Sequence, residues 1–309
     1  MPKLIFFGSS DLSVAVLDEL EQLEMLPLAI VTQPDRPRGR SGRLAATPVK
    51  EWALERDIRV LDNQAEEAEQ FFQDLSALKA DVFLTAAYGE YLPQKVLDLP
   101  ASGALNVHPS LLPKYRGASP VQTAIIAGET ISGVTLMLMA AKMDGGPILA
   151  QREVIIPEDI TAGEMMDVMA DESRYLIRTA LPQYLAGELT PQEQDENEAT
   201  YSRTFTREDG RVDFSKSAQE IHNLIRGLTP WPGAFSYLDG RRVKLITPEC
   251  EDLPPGSVFC REERFFVVCG EGVLELLDIQ FASKAQISCA SCAHNFREGY
   301  RFESFPQKD

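Results

Sequence analysis

Leu4 to Thr32 reads LIFFGSSDLSVAVLDELEQLEMLPLAIVT, and this stretch decides the fold. Leu4–Phe7 and Leu28–Thr32 are nearly uninterrupted apolar runs, the pattern of strands buried on both faces of a parallel sheet. Between them, Leu12–Glu24 has helix-like spacing. A strand, a helix and a second strand in this order form a βαβ unit with a right-handed crossover. Outward from it, Ile58–Leu61, Asp81–Ala86, Ala104–Val107 and Val134–Met139 are further strand candidates, and Val49–Arg56 and Glu66–Leu78 are helix-like. The alternation predicts an α/β domain on a Rossmann-like open sheet over residues 1–189. The turn Gly8-Ser9-Ser10-Asp11 is not a GxGxxG, so no dinucleotide is inferred.

The style then changes. Thr161 with Glu164 makes a capping box, and Met165, Val168, Met169, Leu176 and Ala180 share one face of a long helix. Pro182 predicts a kink or an end, and Gly187 a stop. Thr190 to Ala199 (TPQEQDENEA) is polar and acidic, and residues 190–206 read as an exposed linker. Beyond it, Ser217 and Glu220 form a second capping box. Short strand candidates follow at Val243–Ile246, Val258–Cys260, Phe265–Cys269 and Val273–Phe281, with Pro254-Pro255-Gly256 and Gly270-Glu271-Gly272 between them. They predict a small β-barrel, OB-like, over 207–309.

The 309 residues are 44% hydrophobic, enough for two cores. No run approaches the ~18 apolar residues of a membrane span. The opening run is too short for a signal-peptide core, and an odd number of cysteines points to a reducing compartment, so a cytoplasmic protein is expected. The net charge of -17 argues against generic nucleic-acid binding, so any such contact must use local basic patches.

The chemistry concentrates in Asn106-Val-His108-Pro-Ser110-Leu111-Leu112-Pro113-Lys-Tyr-Arg116-Gly117. Asn106 and His108 lie two apart at a strand end, so their side chains share one side of the sheet. Ligands of open α/β sheets bind at the carboxyl ends of strands. Asp144, in Met143-Asp144-Gly145-Gly146-Pro147, follows another strand and can face the same cleft. An amide donor, an imidazole and a carboxylate suit acyl transfer to an amine: the amide meets developing negative charge, the imidazole moves a proton, and the carboxylate orients the ring. Spacing alone leaves open a satisfied polar pair at Asn106 and His108 and a plain turn at Asp144.

Asn106-x-His108-Pro-Ser-Leu-Leu-Pro113, with Asp144-Gly-Gly-Pro-Ile-Leu further on, resembles the signature of the 10-formyltetrahydrofolate-dependent transformylases. The resemblance implies that Asn106, His108 and Asp144 are catalytic and that Ser110, Leu111, Leu112 and Pro113 contact the folate. It also implies 10-formyltetrahydrofolate as co-substrate, with tetrahydrofolate as product. Thr32-Gln33-Pro34-Asp35-Arg36-Pro37, Ala87-Tyr88-Gly89 and Pro230-Trp231-Pro232-Gly233 are similar to the branch that formylates the α-amino group of initiator methionyl-tRNA. A formyltetrahydrofolate hydrolase, or a transferase acting on a sugar nucleotide or glycinamide ribonucleotide, is the alternative.

Pro34 to Lys50 holds Arg36, Arg38, Arg40, Arg43 and Lys50 against Asp35, a local balance of +4 in an acidic chain. By composition it reads as a solvated basic loop. The resemblance makes it a tRNA contact through Arg36, Arg38, Arg40 and Arg43. Residues 208–309 carry 12 Lys and Arg against 16 Asp and Glu, where the family usually offers a basic surface. Cys289, Cys292 and His294 have a metal-like look, but the second CxxC of a usual pair is missing, so no metal is expected. A monomer without membrane contact is expected.

Overall fold

A computed structural model describes residues 2–38, 43–62, 68–238, 241–246, 255–261, 264–292 and 301–303. The opening βαβ unit consists of β1 (Leu4–Gly8), α1 (Asp11–Gln22) and β2 (Ala29–Thr32), with Ile5 of β1 opposite Ala29 in parallel register. Ser10 caps α1, and Ser13 Oγ accepts from the Ser9 and Ser10 amides at 3.1 Å each. A hairpin of β3 (Arg36–Arg38) and β4 (Arg43–Ala45) leads to α2 (Pro48–Leu54), capped by Thr47, whose side chain accepts from the Lys50 amide. Next come β5 (Arg59–Asp62), α3 (Ala68–Leu78), β6 (Val82–Ala86), α4 (Gln94–Leu97), β7 (Ala104–His108) and β8 (Arg116–Gly117). They are followed by α5 (Pro120–Ile126), β9 (Ile131–Leu138), β10 (Ile148–Ile155), α6 (Ala162–Leu185) and β11 (Tyr201–Ser202).

The main sheet has seven strands in the order β10-β9-β7-β6-β1-β2-β5. The five from β7 to β5 are parallel, and β9 and β10 run antiparallel at one edge. Every residue of β1, β2 and β6 is buried, as helices on both faces require. Ile5, Phe7, Val31 and Phe83 share one face with Phe71, Leu75 and Val96 from the covering helices. Strand order reverses between β1 and β6, and such reversals open a crevice beyond the carboxyl ends of the strands. The sequence gives no hint of β10: Gln151, Arg152 and Glu153 interrupt its apolar residues, because one of its faces meets water.

Pro182 does not end α6, which runs on to Leu185. Proline has no N–H to give the Arg178 carbonyl, and the turn resumes with the Ala186 amide donating to the Pro182 carbonyl at 3.0 Å. Gly187 then takes φ +75°, the left-handed stop its sequence position suggests.

Two compact units emerge. One comprises Met1–Pro120, Ile131–Ile155 and Met166–Arg203; the other comprises Val121–Thr130, Ile156–Met165 and Thr204–Asp309. The second unit contains α7 (Ala218–Gly227) and β12 (Phe235–Leu238), β13 (Arg241–Ile246), β14 (Val258–Arg261), β15 (Arg264–Val268), β16 (Val273–Leu276), β17 (Asp278–Phe281) and β18 (Ile287–Ser288). A short helix α8 (Cys289–Cys292) and β19 (Phe302–Glu303) follow. Its strands form antiparallel sheets, β18-β17-β13-β12-β19 and β14-β15-β16, over a core that includes Val212, Phe214, Ile221, Val243, Phe265, Leu274 and Ile279. The run Val273–Phe281 is two strands rather than one. It breaks at the exposed Leu277, and its halves enter different sheets. The Ser217–Glu220 capping box is present on α7.

Candidate active site

β7 lies between β6 and β9, with Asn106 opposite Thr85 on one side and Met137 on the other, and His108 opposite Thr135. The strand is therefore paired with β6 as far as Val107 and with β9 as far as His108. His108 is buried and Asn106 half-buried. Beyond β7 the chain folds into a tight loop. Thr135 Oγ1 donates to the Ser110 carbonyl at 2.6 Å and accepts from the Leu112 amide at 3.2 Å. Gln151 Nε2 donates to the Leu112 carbonyl at 2.8 Å, and the Leu112–Pro113 peptide is cis.

The loop then turns back through Tyr115, at φ +61°, so that its carbonyl meets His108 Nε2 at 3.0 Å. A carbonyl only accepts, so Nε2 carries the proton of the neutral ring and Nδ1 is left basic. Nδ1 lies 3.8 Å from Asp144 Oδ2. Asp144 Oδ1 is 3.5 Å from Asn106 Nδ2, and Oδ2 accepts from the Gly117 amide at 2.8 Å. Amide, imidazole and carboxylate thus stand together at the end of β7.

Asp144 adopts φ +47°, a left-handed conformation that Asp tolerates better than most residues. Two glycines make this geometry possible. A Cβ on Gly117 would come within 2.4 Å of the Ser202 carbonyl oxygen, and one on Gly146 within 2.0 Å of the Leu138 carbonyl oxygen.

The polar stretch after Thr190 is mostly exposed, but Gln192, Gln194, Glu196 and Thr200 bond it back onto the sheet and the loops beside the site. Ile148 and Gln192 exchange backbone bonds of 2.7 and 2.8 Å. Gln194, half-buried among exposed neighbours, donates from Nε2 to the Asp144 and Gly146 carbonyls at 2.8 and 2.7 Å. Its Oε1 accepts from Arg116 Nη2 at 2.8 Å and Nε at 3.1 Å. Tyr201–Ser202 then pairs in parallel with Arg116–Gly117.

The Arg116 side chain is fully buried and forks onto Glu196, which also pairs with Lys142. Burial opposes the Arg116 charge, yet the hydrogen bonds it donates to Glu196 and Tyr201 keep its pKa above the ordinary value. The Arg116 guanidinium, and then the Lys142 ammonium, hold the Glu196 carboxyl down to about 2.

The remaining candidates are spread out. Ser110 is buried, its hydroxyl donating to the Lys114 carbonyl at 2.7 Å, and Leu112 is buried too. Leu111 and Pro113 are half-buried. Arg36 is exposed on β3, the backbones of Arg38 and Arg43 are register partners across β3 and β4, and Arg40 lies outside the described residues. Cys289 is buried and Cys260 exposed, whereas His294 lies outside the described residues. Among the described residues no helix is long and apolar enough to cross a membrane. Sequence reasoning missed the Tyr115 carbonyl, the Gly117 amide and Gln194. The first two sit in the motif already quoted, and Gln194 had no local signal.

Residues 2–181 match the family described as formyl transferase, and residues 204–297 the one described as formyl transferase, C-terminal domain. The chain is 38% identical over 304 residues to the methionyl-tRNA formyltransferase of Caldanaerobacter subterraneus, covering 96% of this chain and 98% of that protein. It is 41% identical over 294 residues to the methionyl-tRNA formyltransferase of Enterococcus faecalis, covering 93% of this chain and 94% of that protein. Among solved structures it is similar to an N-formyltransferase from Helicobacter canadensis in complex with folinic acid and dTDP-3-aminofucose. The TM-score is 0.67 at 20% identity, over 89% of this chain and 99% of that one.

Proposed function

The chain belongs to the methionyl-tRNA formyltransferase family, and on that premise we propose that it moves the formyl group of 10-formyltetrahydrofolate to the α-amino group of initiator methionyl-tRNA. The observation that carries the reading is the meeting of Asn106, His108 and Asp144 within 3.8 Å at the end of β7. The neutral amine attacks the formyl carbon, and Asn106 Nδ2 donates to the oxygen as it becomes negative. His108 Nδ1, the basic nitrogen, takes the proton shed by the attacking nitrogen, and Asp144 stabilises the imidazolium that forms. The C–N bond forms in that attack; the tetrahedral adduct then collapses, the bond from carbon to N10 breaks, and the proton held by His108 passes to N10, which leaves as tetrahydrofolate.

Apolar surface on Leu111 and Pro113 suits the flat ring of the folate, with Ser110 and Leu112 fixing the loop beneath it. Residues 1–189 are read as the catalytic part, 190–206 as the connection and 207–309 as a tRNA-binding part. Arg36, Arg38, Arg40 and Arg43 are read as contacts to the acceptor end. The test is formyl transfer from 10-formyltetrahydrofolate to charged initiator tRNA, run beside glycinamide ribonucleotide and a sugar-nucleotide amine. Turnover with methionyl-tRNA alone is expected, and its KM should rise steeply with added salt. Release of free formate without an acceptor would favour a hydrolase instead.

A further inference from the structure

We propose that Gln194 is a positioning residue for formyl transfer, clamping the backbone on either side of Gly145 so that the Asp144 carboxylate stays against Asn106 and His108. The inference rests on reading Asp144 as catalytic. The clamp is assigned from chemistry as well as distance. A guanidinium only donates, so the atom facing Arg116 must be Oε1, and the atom facing two carbonyls must be Nε2. Gln194 then makes two donated and two accepted bonds, the full capacity of an amide: Asp144 at 2.8 Å, Gly146 at 2.7 Å, and Arg116 at 2.8 and 3.1 Å.

Both anchors of the clamp are fixed. Arg116 is fully buried. The segment carrying Gln194 is tied down before it by the Ile148–Gln192 bridge and after it by the pairing of Tyr201–Ser202 with Arg116–Gly117. Asp144 needs such a restraint, because it sits on a loop in a left-handed conformation next to two glycines. Exposure points the same way. From Pro191 to Glu198, Gln194 is the position that turns inward, while Glu193, Asp195 and Glu196 stay exposed.

The experiment is steady-state kinetics on Gln194→Glu in the full chain. That change keeps the acceptors for Arg116 but sets a carboxylate oxygen against the two carbonyls. A tether that only held Arg116 would survive it. The proposal expects kcat to fall roughly 10- to 100-fold, the scale of a misplaced catalytic group, with KM for both substrates within about twofold. Gln194→Met, which removes the amide without adding charge, is the second variant and should lose kcat alike. Wild-type kcat in either variant, or a loss confined to KM, overturns the clamp. Should the wild-type protein itself fail to formylate methionyl-tRNA, the proposed function falls, and backbone hydrogen exchange over residues 142–147 judges the clamp alone. Faster exchange in both variants supports it, and unchanged exchange sinks it.

Discussion

Asn106 and His108 reach the site on a strand; Asp144 reaches it on a loop. β7 is bonded to β6 and β9 along both edges, so the register that builds the sheet also aims the amide and the imidazole. Asp144 has no such lattice. Its carboxylate is placed by the Gly117 amide, and its backbone by the Gln194 side chain fifty positions further on. The strand arrangement is encoded within a few residues. The loop arrangement is shared among three separate segments. Groups held on regular elements keep their geometry under local substitution, whereas groups held on loops depend on every partner that restrains them.

Removing each group in turn should give the largest effects. On the proposed mechanism, in which one stabilises the oxyanion and the others manage the proton, Asn106→Ala, His108→Ala and Asp144→Ala should each lower kcat/KM at least ~100-fold. Melting temperature should fall least for Asn106→Ala, which leaves the β7 ladder intact; His108→Ala gives up the Nε2 bond to the Tyr115 carbonyl, and Asp144→Ala abandons the Gly117 amide and puts a residue less suited to φ +47° in the loop. Wild-type-like turnover by His108→Ala would defeat the assignment.

Gly146→Ala tests the loop without touching the Asn106, His108 or Asp144 side chain. The added carbon would meet the Leu138 carbonyl oxygen at 2.0 Å, so the loop must shift. A loss of roughly 1–3 kcal/mol in stability, typical of overpacking, is expected in denaturant titration. A fall in kcat of about tenfold or more should accompany it, as a displaced Asp144 requires. Unchanged kcat would show that the loop is more tolerant than its bonding implies.

The same contrast explains what the sequence revealed. The parallel strands were legible because burial on both faces leaves apolar runs with little to interrupt them, as in Leu4–Phe7 and Asp81–Ala86. β10 was not, because an edge strand with a wet face alternates and carries charge. The two-residue spacing of Asn106 and His108 at a strand end was enough to put both side chains on one side of the sheet, and no more. Gln194 sits in TPQEQDENEA, whose composition is that of a solvated linker; the property that matters, one glutamine turned inward onto two carbonyls, exists only after the chain has folded back. Leu277 was hidden for a similar reason. The run Val273–Phe281 reads as one strand, and only its division between two sheets shows the break.

Glu196 offers the smallest and most specific test, since it belongs to the same restraining segment as Gln194 but acts through charge at the rim. Its carboxyl titrates at about 2 in the folded protein against 4.5 as the ordinary value, held down first by Arg116 and then by Lys142. A lowered pKa means that the unfolded chain binds the proton more readily. The stabilisation is therefore complete above pH 4.5 and fades as pH falls from there towards 2. Glu196 is 53% exposed, so water and salt screen the pairing and the effect on melting temperature should be slight. Wild type should melt just above Glu196→Gln at neutral pH, with a constant gap down to about pH 5 and a narrowing gap below it. kcat should stay within about twofold, because the Gln194 amide remains on both carbonyls and the loop need not move far enough to misplace Asp144. A gap that widens on acidification would contradict the ion pairs, and a large fall in kcat would move the restraint of Asp144 from the neutral amide to the charged rim.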